Sequence, residues 1–213
     1  MAFFKKPDQI LIWTEKLKYT HYLLKRRPTA MIGLVFIGFL ILVALTAPLI
    51  APYSPNEFSA SGLETPSLSH PFGVDHLGRD QLSRVIYGTR ISLWAGLLAV
   101  SIALTFGTLI GVISGYFGGW IDNLIMRTMD IMMALPYVLL AILIAAVLGP
   151  TLQNGILAIG IVRVPRFARL ARASTLSIKE LHYVEASQTI GASHWRIIRK
   201  DIIPNISGPI IVY

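Results

Sequence analysis

The chain has 213 residues, of which 54% are hydrophobic and only 14% charged, with a mean hydropathy of +0.63. That composition excludes an ordinary soluble domain and identifies an integral membrane protein. The net charge of +8 lies in short basic runs beside apolar segments, the pattern of cytoplasmic helix flanks rather than of a nucleic-acid surface, and the lack of cysteine removes disulfides, thiol nucleophiles and thiolate metal sites.

Residues 1–28 are polar and basic. Ile10, Trp13, Leu17 and Leu24 form either the buried stripe of a helix on the inner membrane surface or part of a solvated tail. From Thr29 to Asn56 there is no charge, and residues 30–50 supply the roughly 20 apolar residues of a first span. Lys25, Arg26 and Arg27 before it place the amino terminus in the cytoplasm, and Pro48, Pro52 and Pro55 are expected to break the helix on the far side. Residues 51–90 then form an outside segment rich in Pro, Ser and Gly. His70, Asp75, His76 and Asp80 are of metal-ligand type but lack the convergent spacing of a closed site. The segment reads instead as a compact turn, with Gly73 and Gly78 permitting tight backbone and Asp80 paired to Arg84 at i, i+4.

A second span covers residues 91–114, within an uncharged run from Ile91 to Ile121. Gly107, Gly111 and Gly115 recur every fourth residue, which lets a neighbouring helix backbone approach closely. Gly115 to Trp120 reads as a tight cytoplasmic turn with its aromatics at the interface. The third span, residues 124–148, carries Arg127 and Asp130 at pairing distance near its start and Pro136 as a kink in its interior. After the Gly149-Pro150 turn, a fourth span covers residues 152–173. Its uncharged part, Leu152 to Val162, extends only about 16 Å, so the span must continue past Arg163 and Arg166. Arg169 and Arg172 can snorkel to the cytoplasmic interface. Arg163 lies deeper, where an unpaired charge costs about 2.5–3.5 kcal/mol, and it is expected, with Arg166, to face the pathway or a subunit interface.

Residues 174–205 form a polar loop between apolar runs. Ser177 and Glu180 have capping-box spacing, which predicts a helix from about Ile178 with Ile178, Leu181 and Val184 on one face. Gly191 predicts a left-handed elbow, Trp195, Ile198 and Ile202 a second apolar stripe, and Pro204 the end of that helix. Residues 206–213 begin a fifth span.

Within this loop, Glu185-Ala186-Ser187, then Gly191, then Ile202-Ile203-Pro204 resemble the Glu-Ala-Ala loop of the permease subunits of binding-protein-dependent ABC importers. The stretch from His70 to Asp80, then Leu82-Ser83-Arg84, Tyr87-Gly88 and Gly115-Tyr116-Phe117-Gly118-Gly119 resemble signatures of the dipeptide/oligopeptide branch. The likeness runs from about Ala30 to the last residue, with two departures. Ser187 replaces the second alanine, and the chain stops at Tyr213, where the family pattern continues through two further spans, so a carboxy-terminal truncation is expected.

The resemblance implies an all-α, polytopic transmembrane bundle of the type I ABC importer kind, residues 29–213, carrying a cytoplasmic coupling-helix loop. Tyr183, Glu185, Ala186, Ser187, Gly191, Ala192, Trp195, Arg196 and Pro204 would form the ATPase-coupling surface. It further implies a bacterial or archaeal inner membrane, a second homologous permease, two cytoplasmic ABC ATPases using ATP and Mg, and an extracytoplasmic solute-binding protein. The implied function is uptake of dipeptides, oligopeptides or related solutes. No Gly-rich phosphate loop ending in Gly-Lys-Ser/Thr and no hydrolase elbow occurs in the chain, so no catalytic residue, cofactor or metal is assigned to it. Other readings are a truncated, non-transporting scaffold, a permease for nickel complexes or glutathione, and a secondary transporter. The last should carry intramembrane carboxylates that the first two spans lack.

Overall fold

The computed structural model describes residues 27–58 and 62–213; the amino-terminal apolar stripe falls outside them. Among the described residues the chain is helical, with no strand beyond a single antiparallel bridge between Val74 and Asp80. It divides into two compact units, one ending at Leu93 and the other beginning at Trp94.

In the first unit, helix α1, Pro28–Ile50, has proline at its start, where the missing N–H costs no helical bond. Its 23 uncharged residues reach about 35 Å, enough to cross a membrane. Only Ala44 and Ala47 are buried, so most of its large apolar side chains face outward, as lipid requires. Pro48 is accommodated inside the last turn rather than breaking the helix, which ends at an extended Ala51.

The segment that follows closes on itself through polar contacts. Asp75 accepts hydrogen bonds from the amides of Leu77 (2.8 Å) and Arg79 (3.1 Å), from Arg79 Nε (2.9 Å) and from Arg84. Gly73 and Gly78 adopt φ of +75° and +77°, and a Cβ on Gly73 would lie 2.6 Å from the Glu64 carbonyl, so the compact turn needs glycine there. The expected Asp80–Arg84 pair does not form. Asp80 instead caps helix α2, Gln81–Phe117: its Oδ2 accepts from the Ser83 amide at 2.7 Å, and its Oδ1 meets His70 Nδ1 at 3.0 Å. Arg84 is drawn to Asp75 because both Asp80 oxygens are already engaged.

The second unit contains the rest of α2, then α3, Gly119–Ala134, α4, Tyr137–Leu148, and α5, Leu152–Lys179. The glycine spacing does what it predicts. A Cβ on Gly107 would lie 2.5 Å from Phe167 Cβ, one on Gly111 would overlap the Ala168 carbonyl, and one on Gly115 would lie 3.0 Å from the Arg172 carbonyl. The partner is α5, and its small residues Ala168 and Ala171, fully buried, complete the contact.

Pro136 causes more than a kink. Leu135 and Pro136 both adopt extended backbone, with ψ of 142° and 125°, and α3 and α4 diverge by 97°. The residue before a proline is pushed out of the helical region and proline itself donates no N–H, so two consecutive residues leave the helix. The single kinked span expected over residues 124–148 is thus two helices at a sharp angle, and α4 alone extends only about 18 Å.

Past α5, the chain forms α6, His182–Thr189, and α7, His194–Ile197, then a π-helical turn, Ile198–Ile202, and α8, Ile203–Val212. Pro204 does not end this run. The wide π turn immediately before it relieves the clash between the proline ring and the preceding carbonyls, and the helix continues. Val184, Ile197, Ile198, Ile202, Ile206 and Ile210 join Val112, Tyr116, Phe167 and Ala171 in one core.

Candidate functional site

The loop singled out by sequence, residues 174–205, is anchored from inside and open outside. Its first helix does not start at Ile178: α5 runs on to Lys179, and Ser177 Oγ donates to the Ala173 carbonyl one turn back instead of capping. The chain breaks at Glu180 and restarts as α6. Of the first predicted stripe, Val184 is fully buried and Ile178 packs against the core, whereas Leu181 is exposed.

Helix α6 ends in a Schellman terminus. The Gly191 amide donates to the Gln188 carbonyl and the Ala192 amide to the Ser187 carbonyl, each at 3.0 Å, with Gly191 at φ +76°. Nothing lies within 4 Å of where a Gly191 side chain would start, so backbone handedness alone requires glycine there. Ser193 then caps α7 by accepting from the Arg196 amide at 3.4 Å.

Of the predicted surface residues, Tyr183, Glu185, Ala186, Gly191, Trp195, Arg196 and Pro204 are exposed, while Ser187 and Ala192 are half-buried. Trp195 is 64% exposed and does not share the stripe of Ile198 and Ile202. The buried position beside those isoleucines is taken by Ile197. With Leu181, Ile190 and Trp195 exposed alongside Glu185, Arg196, Arg199 and Lys200, the loop offers a mixed apolar and charged face on a fixed backbone.

Three residues that hold this face in place were not singled out by the loop's sequence. Tyr116 Oη meets His194 Nδ1 at 2.8 Å, Phe117 packs edge-on against the same imidazole, and Lys179 Nζ donates to the Tyr116 carbonyl at 2.7 Å. The end of α2, just before the turn at Gly118 and Gly119 with both at positive φ, thus holds residues on either side of α6, Lys179 before it and His194 after it. Tyr116 is itself buried rather than placed at a surface, because it is part of the core.

The arginines of α5 separate into two kinds. Arg172 forks onto Asp122, with Nε–Oδ1 at 2.5 Å and Nη2–Oδ2 at 2.6 Å, and Arg169 pairs with Asp130. Asp130 therefore serves Arg169 rather than Arg127, which the sequence spacing had favoured. Arg163 and Arg166 are exposed on the chain surface and have no ion pair among the described residues. Arg163 lines a cleft of about 320 Å³ between α4 and α5, otherwise walled by apolar residues.

Residues 107–213 match the family described as binding-protein-dependent transport system inner membrane component, and residues 18–68 match the N-terminal TM domain of oligopeptide transport permease C. The chain is 47% identical over 201 residues to a dipeptide transport system permease protein, DppC, of Alkalihalophilus pseudofirmus, covering 94% of this chain and 65% of that one. It is 42% identical over 192 residues to a probable D,D-dipeptide transport system permease protein, DdpC, of Escherichia coli K12, covering 90% and 64%. To a glutathione transport system permease protein, GsiD, of Escherichia coli O6:K15:H31 it is 44% identical over 211 residues, covering 98% and 68%. The chain thus spans about two thirds of the length of these relatives. Taken with the helical bundle and its anchored loop, these matches show that the chain belongs to the family of binding-protein-dependent transport system inner membrane components.

Proposed function

We propose that this chain is a permease subunit of an ATP-driven importer of peptides or related solutes, and that it transmits the motion of a separate ATP-hydrolysing subunit through residues 181–200. The observation that carries this reading is the construction of α6. A helix of eight residues, seated through Val184 and terminated by the Gly191 Schellman motif, leaves Glu185, Ala186, Ile190 and Trp195 outward. An element whose outer face has no partner among the described residues is suited to sit in a cleft of another subunit and to carry rigid-body motion from it.

In this reading the amino terminus and the loop are cytoplasmic, residues 62–80 lie outside, and α1, α2, the bent α3–α4 pair and α5 provide the crossings. A second permease completes the pathway, two ATPases bind ATP and Mg, and a solute-binding protein delivers cargo. Glutathione is a second candidate cargo beside dipeptides, favoured by the 44% identity to a glutathione permease. Copurification of the full-length protein from native membranes, followed by ATP-driven uptake of dipeptide and glutathione into vesicles, tests the proposal. It predicts an associated ATPase and uptake of at least one of the two; recovery without an ATPase in a membrane that still accumulates both solutes by another route contradicts it.

A further inference from the structure

We infer that Arg163 is a specificity-determining residue of the translocation route, and that the cleft between α4 and α5 receives the carboxylate end of the carried solute. The inference deepens the permease reading above and rests on it. Four arginines recur every third residue along α5, and among the described residues carboxylates pair with two of them. Asp122 and Asp130, both on α3, engage Arg172 and Arg169. Beyond the break at Pro136, the facing helix α4 reads Tyr-Val-Leu-Leu-Ala-Ile-Leu-Ile-Ala-Ala-Val-Leu and contains no acidic side chain.

Arg163 closes one side of a cleft whose other walls include Tyr137, Ala141, Ala145, Ile159 and Val162, with no ion pair of its own among the described residues. Eleven uncharged residues separate it from the start of the helix. Its volume of about 320 Å³ lies at the small end of ligand sites, the size of a short peptide's terminal residue and its side chain. A guanidinium presents a planar fork matched to a carboxylate, and apolar walls on the other sides of the cleft weaken that attraction less than bulk water would. Dipeptides and glutathione share a free carboxylate, and the apolar wall tolerates varied side chains. The site therefore selects the anionic end and ignores the rest.

The test uses the full-length protein assembled with its partner subunits in vesicles whose extracytoplasmic face is outward, with ATP enclosed and the solute-binding protein added outside. The 213 residues contain no cysteine, so Arg163→Cys adds one thiol to them, and any cysteine elsewhere in the assembly is replaced by serine beforehand. Uptake of radiolabelled alanyl-alanine is expected to fall about ten- to a hundredfold, the loss typical of a charge-assisted hydrogen bond. A cationic methanethiosulfonate reagent should restore part of it, an anionic one should not, and Arg163→Lys, a point charge without the fork, should fall between Arg163→Gln and the wild type. Should the cysteine variant fail to assemble, Arg163→Gln carries the test through the ratio of uptake of the free acid to that of its C-terminal amide. That ratio should fall relative to wild type, whereas a purely structural role would leave it unchanged. Equal rescue by both reagents, an unchanged acid-to-amide ratio, or a thiol that no aqueous reagent reaches in any state, as expected of a side chain against lipid or a partner's carboxylate, overturns the inference. If the wild-type vesicles take up no dipeptide or glutathione, the permease reading falls first; if only the Arg163 variants behave like wild type, this inference alone falls.

Discussion

Two polar segments interrupt the apolar helices, residues 62–80 and residues 181–200, and they treat their charges in opposite ways. In the first, His70, Asp75, Asp80 and Ser83 are buried and answer one another: Asp80 holds both His70 and the start of α2, Asp75 holds Arg79 and Arg84, and Ser83 Oγ accepts from the Tyr53 amide. In the second, Glu185, Arg196, Arg199 and Lys200 are all exposed, and what is buried is apolar. A segment that satisfies itself is a finished structure. One that buries apolar side chains and turns most of its charges outward is built to meet something else.

The strongest way to break this contrast is at Asp80. Asp80→Ala leaves His70 and the Ser83 amide buried without their acceptor and should cost about 3 kcal/mol. Thermal unfolding of the detergent-solubilised protein would show it, whereas Glu185→Ala should stay within about 0.5 kcal/mol in the same assay while impairing ATP-driven uptake. Equal destabilisation by both substitutions would erase the distinction.

Acid should open the first segment selectively. Burial pushes the carboxyls of Asp75 and Asp80 upward, but hydrogen bonds outweigh it and hold both below the usual carboxylate range: from Arg79 and Leu77 on Asp75, and from Ser83 and His70 on Asp80. A carboxylate depressed in the folded state contributes stability above its unfolded value of 3.8 and loses it as pH falls through the folded one. Amide exchange across residues 62–80 should therefore rise below about pH 4, relative to its change at 181–192. Uniform acceleration along the chain would contradict the assignment.

The same substitution at two glycines separates foundation from face. Gly111→Val drives a side chain into the Ala168 carbonyl and should cost about 1–3 kcal/mol, read as loss of folded protein. Gly191→Val meets open space and opposes only the positive φ, a penalty of about 1–2 kcal/mol confined to the end of α6. The expected result is an inserted, assembled complex with weakened uptake. Normal uptake at normal expression would show that the Schellman terminus is dispensable for coupling.

Local chemistry was legible in the sequence where one helix or one turn decides it. The uncharged runs gave α1 and most of α2, the glycine spacing announced a close helix contact, and Gly191 announced a left-handed terminus. What escaped is settled over distance. Asp130 has Arg127 one turn away in sequence, yet it pairs with Arg169, 39 residues on, because the packing of α3 on α5 brings them together. Tyr116 and His194 are 78 residues apart, and no spacing rule connects them. Ser177 and Glu180 have the spacing of a cap, but α5 was already helical at Ser177, so there was no end to cap. Of the stripe Trp195, Ile198 and Ile202, the two isoleucines are buried as periodicity indicates, but Trp195 is not, and Ile197 takes the buried position beside them at the entry to the π turn.

The claim that the open loop meets an ATP-hydrolysing subunit can be tested by attaching a photoreactive benzophenone to Ala186→Cys within the assembled full-length complex, after any cysteine outside these cysteine-free 213 residues has been replaced by serine. Irradiation is predicted to yield a covalent adduct with the ATPase from position 186, and only lipid adducts from Leu34→Cys on the exposed face of α1. A complex that still drives uptake but gives no ATPase adduct from position 186, with or without ATP, would contradict the account.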